Sequence, residues 1–171
     1  MALIKAVKGI IPNIGKRCFI ADNCTIVGDV VLGNDCSIWF NAVIRGDVHY
    51  IRIGKNVNIQ DGVIIHCTYR QAPVNIGNNV SIAHHAVIHG CSIHDNVLVG
   101  MGAILMDQAE VQSNCIIAAG ALVTKGTIVE ANSVYAGSPA KKIKSIDKEL
   151  SEGEIQRIAN SYNMYAGWHN L

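Results

Sequence analysis

Aliphatic residues recur along the chain at every sixth position. They stand at Ile14, Ile20, Ile26, Leu32, Ile38 and Ile44, then at Ile53, Ile59 and Ile65, then at Ile76, Ile82 and Ile88. A glycine often follows at once or one place later, as at Gly15, Gly28, Gly33, Gly54, Gly77 and Gly100. Six is neither the 3.6-residue period of a helix nor the alternation of a half-buried strand. It is the period of a parallel β-helix, in which each side of a triangular coil is a short strand and a turn. The pattern therefore predicts an all-β prism of hexapeptide repeats. Asn13, Asp22, Asn23, Asn34 and Asp35 fall between the aliphatic positions, where corners require turn residues.

The period falters twice. After Asp47 it slips, so residues 48–52 are expected to bulge outward, and a second insertion around residues 69–75 follows His66. Inserted loops on a solenoid tend to gather on its functional face. Beyond His89 the repeats read as Ile93, Val99, Ile104, Val111, Ile117, Val123, Ile128 and Val134, with one-residue slips, until Gly137-Ser138-Pro139-Ala140 ends the prism. The expected division is a prism over residues 1–140 and a helical tail over residues 141–171. In the tail, Ile155, Ile158, Ala159, Tyr162 and Tyr165 share one helical face, and Ser151 or Asp147 is placed to cap it. A helix folded back along the prism brings Tyr162 or Asn163 towards a subunit junction, with Tyr165 and Trp168 packing.

Counting steps between aliphatic positions places the chemistry. Ile44 to Ile65 closes one coil and Ile65 to Ile88 the next, so Arg45, His66 and His89 stack on one face, in layers about 4.8 Å apart. His84 comes two places after Ile82, one side earlier. A single prism does not bring it to the other two histidines, whereas a neighbouring prism in a threefold assembly does. The expectation is a site shared between subunits. Three neutral imidazoles with an open fourth position are the ligand set of a catalytic zinc, which lowers the pKa of its water to about 7. Iron or cobalt suits the same donors. Gln60, on the side of His84 and one layer below, is placed to orient the reacting oxygen through its amide. His49, His85, His94 and His169 read as ordinary surface or hydrogen-bonded residues.

Composition narrows the picture. Half of the residues are apolar and only 16% are charged, a low charged fraction that points to buried subunit contacts. A net charge of +1 gives no ground for a nucleic-acid or membrane partner. The N-terminal stretch, interrupted by Lys5, Lys8 and Pro12, reads as a strand rather than a signal peptide, and a cytoplasmic protein is expected. The six cysteines form no CxxC pair. Cys18, Cys24, Cys36 and Cys115 sit four places after an aliphatic repeat position and are expected to pack inward as small hydrophobes. Cys67 and Cys91 break that spacing and are expected to border the histidines.

The repeats, the segment NAVIRGD (41–47), NIQDG (58–62), His66 and HHAVIHG (84–90) together resemble the γ-class carbonic anhydrase-like family. Its members are also labelled hexapeptide-repeat transferases or ferripyochelin-binding proteins. The resemblance covers nearly the whole chain. It implies a left-handed β-helix, a homotrimer with a site at each junction, metal ligands at His66, His84 and His89, and reversible hydration of carbon dioxide to bicarbonate. It also implies an orienting role for Gln60 and a charge pair of Arg45 with Asp47 or Asp61 across the interface. Those three residues serve equally well as struts of the trimer, and Tyr162 joins them among the candidate catalytic residues.

One departure matters. The archetype of the family carries proton-shuttling glutamates, one directly after the aspartate of the RGD-like motif and one in an acidic loop. Here the first position is Val48, and the loop 68–75 holds no acid. Each hydration must return a proton to solvent, so slow, buffer-dependent turnover is expected. Two other readings stay open. One is a hexapeptide acyltransferase using coenzyme A and a histidine base, a group that shares the Gly-Ser-Pro-Ala-Lys segment. The other is a metal-dependent thioesterase or a non-catalytic metal-binding module. Three converging histidines exceed what a single general base needs.

Overall fold

Inward-pointing aliphatic side chains define three stacked columns, and these columns are the core. The structure is a computed structural model and describes residues 1–169. On the first face Ile26, Ile44, Ile65, Ile88, Leu105 and Val123 lie in parallel register. The second face stacks Ile14, Leu32, Ile53, Ile76, Ile93, Val111 and Val129. The third stacks Ile20, Ile38, Ile59, Ile82, Val99, Ile117 and Tyr135. From the second coil upward these side chains are buried in one continuous cluster. Branched side chains suit such sheets because they pack closely against the pleated neighbours above and below.

The upper coils correct three positions. Leu105, Val129 and Tyr135 are the inward residues, while Ile104 and Ile128 point outward and are exposed. The step from Val99 is therefore a strict six with no slip. Shifting a strand by one residue exchanges its two faces, and a pair of adjacent aliphatics hides which one is inside.

The long strand Val43–Ile53 turns the corner from the first face to the second. Gly46 pairs with Gly28 and Ile51 with Val30, so residues 47–50 protrude against the single residue Asp29. The bulge expected at 48–52 thus ends earlier, since Ile51 and Arg52 are back in the ladder. The second insertion is closed by Thr68, whose N–H donates to the Ala72 carbonyl at 3.0 Å.

Asparagines line the corner between the second and third faces. Asn56, Asn79, Asn96, Asn114 and Asn132 all take left-handed backbone with φ of 54–59°, which asparagine tolerates better than other residues with a side chain. Their amides form a ladder, with Asn79 donating to Asn96 at 3.1 Å and Asn96 to Asn114 at 3.2 Å.

The N-terminal strand Leu3–Lys5 pairs in parallel with the strand Thr25–Leu32. At the other end Ser133–Gly137 folds back as a hairpin against the antiparallel strand Ala140–Ser145. Asp147 then caps the helical tail by accepting the Leu150 N–H at 2.8 Å. The tail widens into a π-type stretch over Ser151–Gln156 and continues as an α-helix over Arg157–Trp168. Ile155, Ala159 and Ala166 are buried, and burying an isoleucine side chain contributes roughly 1.5–3 kcal/mol. Asn163 donates to Asn56 at 2.7 Å, and Tyr162 meets the Trp39 ring edge-on at 5.3 Å. Trp168, expected to pack, is 61% exposed, with its ring against Tyr165 at 5.0 Å. Asn170 and Leu171, the end of the expected tail, lie outside the described residues. Among the described residues no helix is long and apolar enough to cross a membrane.

The cysteines follow the core. Cys24, Cys36 and Cys115 are buried, as expected, and Cys18 is partly so. Cys67 and Cys91 are buried in the same cluster and lie beside the histidines from within, close enough to feel the charge of Asp107. Ile88 to Ile93 is a five-residue step, which leaves Cys91 two places before an inward aliphatic, as are Cys24, Cys36 and Cys115. Burial pushes the Cys67 thiol up to about 11 and the Cys91 thiol up to about 12.

Candidate metal centre

His66 and His89 occupy the same register position in successive coils, with Arg45 one coil below. The Nδ1 atom of His66 is 3.2 Å from the Nε2 atom of His89. Two nitrogens bound tetrahedrally to one zinc stand about 3.3 Å apart, given Zn–N bonds of about 2.05 Å. The spacing fits two ligands of a single metal ion.

The opposite nitrogens explain why the rings face each other. His66 Nε2 is 3.0 Å from Asp47 Oδ1, and the other oxygen of Asp47 accepts from Arg45 Nη1 at 2.6 Å. His89 Nδ1 is 2.5 Å from Asp107 Oδ1, and Asp107 Oδ2 accepts from the Thr68 hydroxyl at 2.5 Å. A carboxylate draws the imidazole N–H to its own side, so the two lone pairs converge. Lone pairs 3.2 Å apart repel unless a cation sits between them, and a carboxylate behind each histidine is the usual support of a metal ligand.

The electrostatics agree. Burial holds the His66 imidazole below its usual value, helped by Arg45 and His89 and opposed by Asp47. A neutral ring is the form that binds a metal. For Asp47, burial works against ionisation, but hydrogen bonds from Arg45 and His66 outweigh it and hold the carboxyl below its ordinary range. Asp107 is shifted the same way: burial opposes, and Thr68 and His89 prevail.

His84 lies on another edge, in the turn between the third and first faces. Its Nδ1 is 3.0 Å from Asp61 Oδ2, the same carboxylate-backed arrangement. Its Nε2 is 3.4 Å from the Tyr162 hydroxyl. Burial, followed by the charge of Asp61, pushes the Tyr162 phenol up to about 12, so it stays protonated at neutral pH. Among the described residues of one chain no three donors gather at a point. His66 and His89 come together; His84 does not join them within the chain. The pair of Arg45 with Asp47 forms inside one chain, and within the chain Asp61 pairs with His84.

Gln60 is buried, and its amide donates to Asn58 Oδ1 at 3.0 Å. With Leu98, Met101, Ile158, Tyr162 and His84 it lines a cavity of 350 Å³ between prism and helix. His85, next to His84, takes a left-handed φ of 59°. Its ring lies over Gly62, where any Cβ would run into the imidazole; this is the local reason for the glycine of NIQDG. His94 pairs with Glu110 at 3.0 Å on the second face. His169 packs on Phe19 and Trp39, and His49 sits on the bulge.

Sequence reasoning missed Asp107 and Thr68. The signal for Asp107 is its position 18 residues after His89, one full coil of three hexads. Gly90 is its counterpart: a Cβ there would run into the Asp107 carboxylate.

The outward residues of the first face form an apolar column: Val43, Ile64, Val87, Ile104 and Leu122 lie in register. Ile64 and Ile104 are exposed. One edge of this face carries His66 and His89, the other His84.

Residues 12–46 and 90–125 match a family model described as bacterial transferase hexapeptide (six repeats). The probable carbonic anhydrase of Methanocaldococcus jannaschii is 47% identical over 152 residues, covering 89% of this chain and 92% of that protein. The chain belongs to the γ-class carbonic anhydrase-like hexapeptide-repeat family. A longer relative of this γ-class family is the mitochondrial gamma carbonic anhydrase 2 of Arabidopsis thaliana, 38% identical over 159 residues. That match takes in 90% of the chain but only 56% of the plant protein. Among solved structures, a putative acetyltransferase from Bacillus cereus superposes with a TM-score of 0.93 at 37% identity, covering 98% of this chain and 96% of that one.

Proposed function

We propose that the chain is a metal-dependent γ-class carbonic anhydrase interconverting carbon dioxide and bicarbonate. It acts as a homotrimer in which His66 and His89 of one subunit and His84 of a neighbour hold zinc, with iron or cobalt as alternatives. The observation that carries this reading is the 3.2 Å approach of two carboxylate-backed imidazoles. The trimer is supported by the apolar column of the first face, which needs covering and has the two halves of the ligand set at its opposite edges.

The bound metal supplies a nucleophile from water at neutral pH. The chain's own residues do the rest. Asp47 and Asp107 hold the N–H of each imidazole on the outer side and keep the rings aimed inward. Arg45 holds Asp47 ionised. Gln60, beside His84, orients the reacting oxygen through its amide, and Tyr162 acts there as a hydrogen-bonding phenol rather than a base. The largely apolar cavity against His84 suits a small uncharged substrate and limits water.

The test is metal analysis of the purified protein, light scattering, and stopped-flow hydration on the metal-replete sample. A threefold mass, metal at one ion per chain and hydration above background are expected. A stable monomer, or no hydration with metal bound, rejects the reading. A second reading, acyl transfer from a coenzyme A ester, is favoured by the transferase description of the family model and by the likeness to the Bacillus cereus protein described as an acetyltransferase. Acetyl-coenzyme A turnover without metal would select it. Six free thiols fit a reducing compartment, and the cytoplasm is the proposed location.

A further inference from the structure

Every hydration releases one proton that must reach solvent, and the acids that carry it in the family's archetype are missing at Val48 and in the loop after His66. Asp47, whose Oδ1 meets His66, also lines an open cavity of 260 Å³. The bulge at residues 47–50 brings His49 and Tyr50 onto this cavity, facing Tyr69 and Arg70 from the second insertion and Lys8 from the N-terminal segment.

Elimination among these groups leaves one carrier. Asp29 is bound by Arg52 at 2.7 Å, and Asp47 by Arg45 and His66, so both carboxylates already have partners. Lys8 and Arg70 lie over the Tyr69 ring at 5.9 and 5.0 Å. Ammonium, guanidinium and phenol groups are poorly matched to proton transfer near neutral pH, whereas imidazole is suited to it. His49 is half-buried, and its Nδ1 accepts the Tyr50 N–H at 2.9 Å, which fixes its own proton on Nε2.

We propose that His49 is the proton-transfer residue of this site, linking the metal centre to solvent through water in the cavity beside Asp47. The ring turns off the Tyr50 N–H and accepts the released proton at Nδ1. The ring then swings towards solvent and gives that same proton to a buffer base or water, which restores the neutral Nε2–H imidazole. The role rests on the carbonic anhydrase reading. The bulge thus supplies an imidazole one residue beyond Val48, where the archetype has a carboxylate.

The experiment compares metal-replete wild type, His49→Ala and His94→Ala by stopped-flow hydration across a buffer series at fixed pH. At low buffer His49→Ala should be about tenfold slower. At high buffer it should converge on wild type, and added imidazole should restore the low-buffer rate. His94→Ala should match wild type throughout. Spectra of the metal-free protein with 15N-labelled histidine should show His49 as the Nε2–H tautomer, its signal assigned by loss in His49→Ala. Three results would overturn the proposal: an equal deficit at every buffer concentration, no deficit at low buffer, or an Nδ1–H tautomer. Wild type that binds metal but shows no hydration at any buffer concentration overturns the carbonic anhydrase reading, and this role with it.

Discussion

The Nδ1 atom of His66 faces the Nε2 atom of His89 across 3.2 Å, while Asp47 and Asp107 grip the two rings from behind. Neither ring can turn away without losing its carboxylate. Alanine at His66, His84 or His89 should therefore remove most of the metal, measured by elemental analysis, while His85→Ala and His94→Ala keep it. Mixing offers a sharper check. Subunits carrying His66→Ala retain His84, and subunits carrying His84→Ala retain His66 and His89. Co-refolded mixtures should regain metal that neither variant binds alone. No regain would argue against a site divided between chains.

Asp107→Asn tests the support rather than the ligand. The amide keeps the shape but no longer attracts the Nδ1–H of His89 as a charge does. Metal affinity should fall by about 10–100-fold, read by competition with a chromogenic chelator, with the fold unchanged by circular dichroism.

The thiols should respond to pH in two groups. The neighbouring Cys36 draws the partly exposed Cys18 thiol down to about 6, against the effect of burial. Burial raises Cys24 and Cys67 to about 11. The thiolate is the reactive form, so iodoacetamide should label native Cys18 first, with a rate that climbs through about pH 6 and then levels. Cys24 and Cys67 should react on the same timescale only in denaturant. Mass mapping of the labelled peptides decides the order.

Two glycines should give opposite results on replacement by alanine. At Gly54 a Cβ would come within 2.6 Å of the Gly77 carbonyl oxygen in the next coil. Such overpacking typically costs about 1–3 kcal/mol, so the midpoint of thermal unfolding should fall. At Gly153, in the helical tail, nothing lies within 4 Å of the added methyl. A gain of about 0.4–1 kcal/mol is expected there, through the smaller entropy of the unfolded chain.

The stacking of Arg45, His66 and His89 was legible in the sequence because a coil must close after three hexads, whatever the loops between. The inward choice between Ile104 and Leu105 was less so. Both are aliphatic, and the outward one is apolar too, so alternation of polarity does not distinguish them. Only insistence on a strict six from Val99 selects Leu105. The extent of the bulge depends on which residues pair across the ladder, and Ile51 and Arg52 return to it through backbone bonds that side-chain pattern does not encode. Asp107 lay in plain register with His89, but a carboxylate among corner residues looks like any other turn former until its partner is known.

The hairpin of Ser133–Gly137 with Ala140–Ser145 has a bearing on solubility. A stack of coils presents unpaired strand edges at each end, and such edges invite another chain to continue the sheet. On the third face this edge is closed by a strand running the wrong way for growth. It carries Lys141, Lys142 and Lys144, all exposed. Repulsion between two such lysine-rich borders opposes end-to-end joining of prisms. Trimming the chain at Gly137 would leave the backbone edge of Ser133–Gly137 unpaired, and the product should grow into filaments that the full chain does not form.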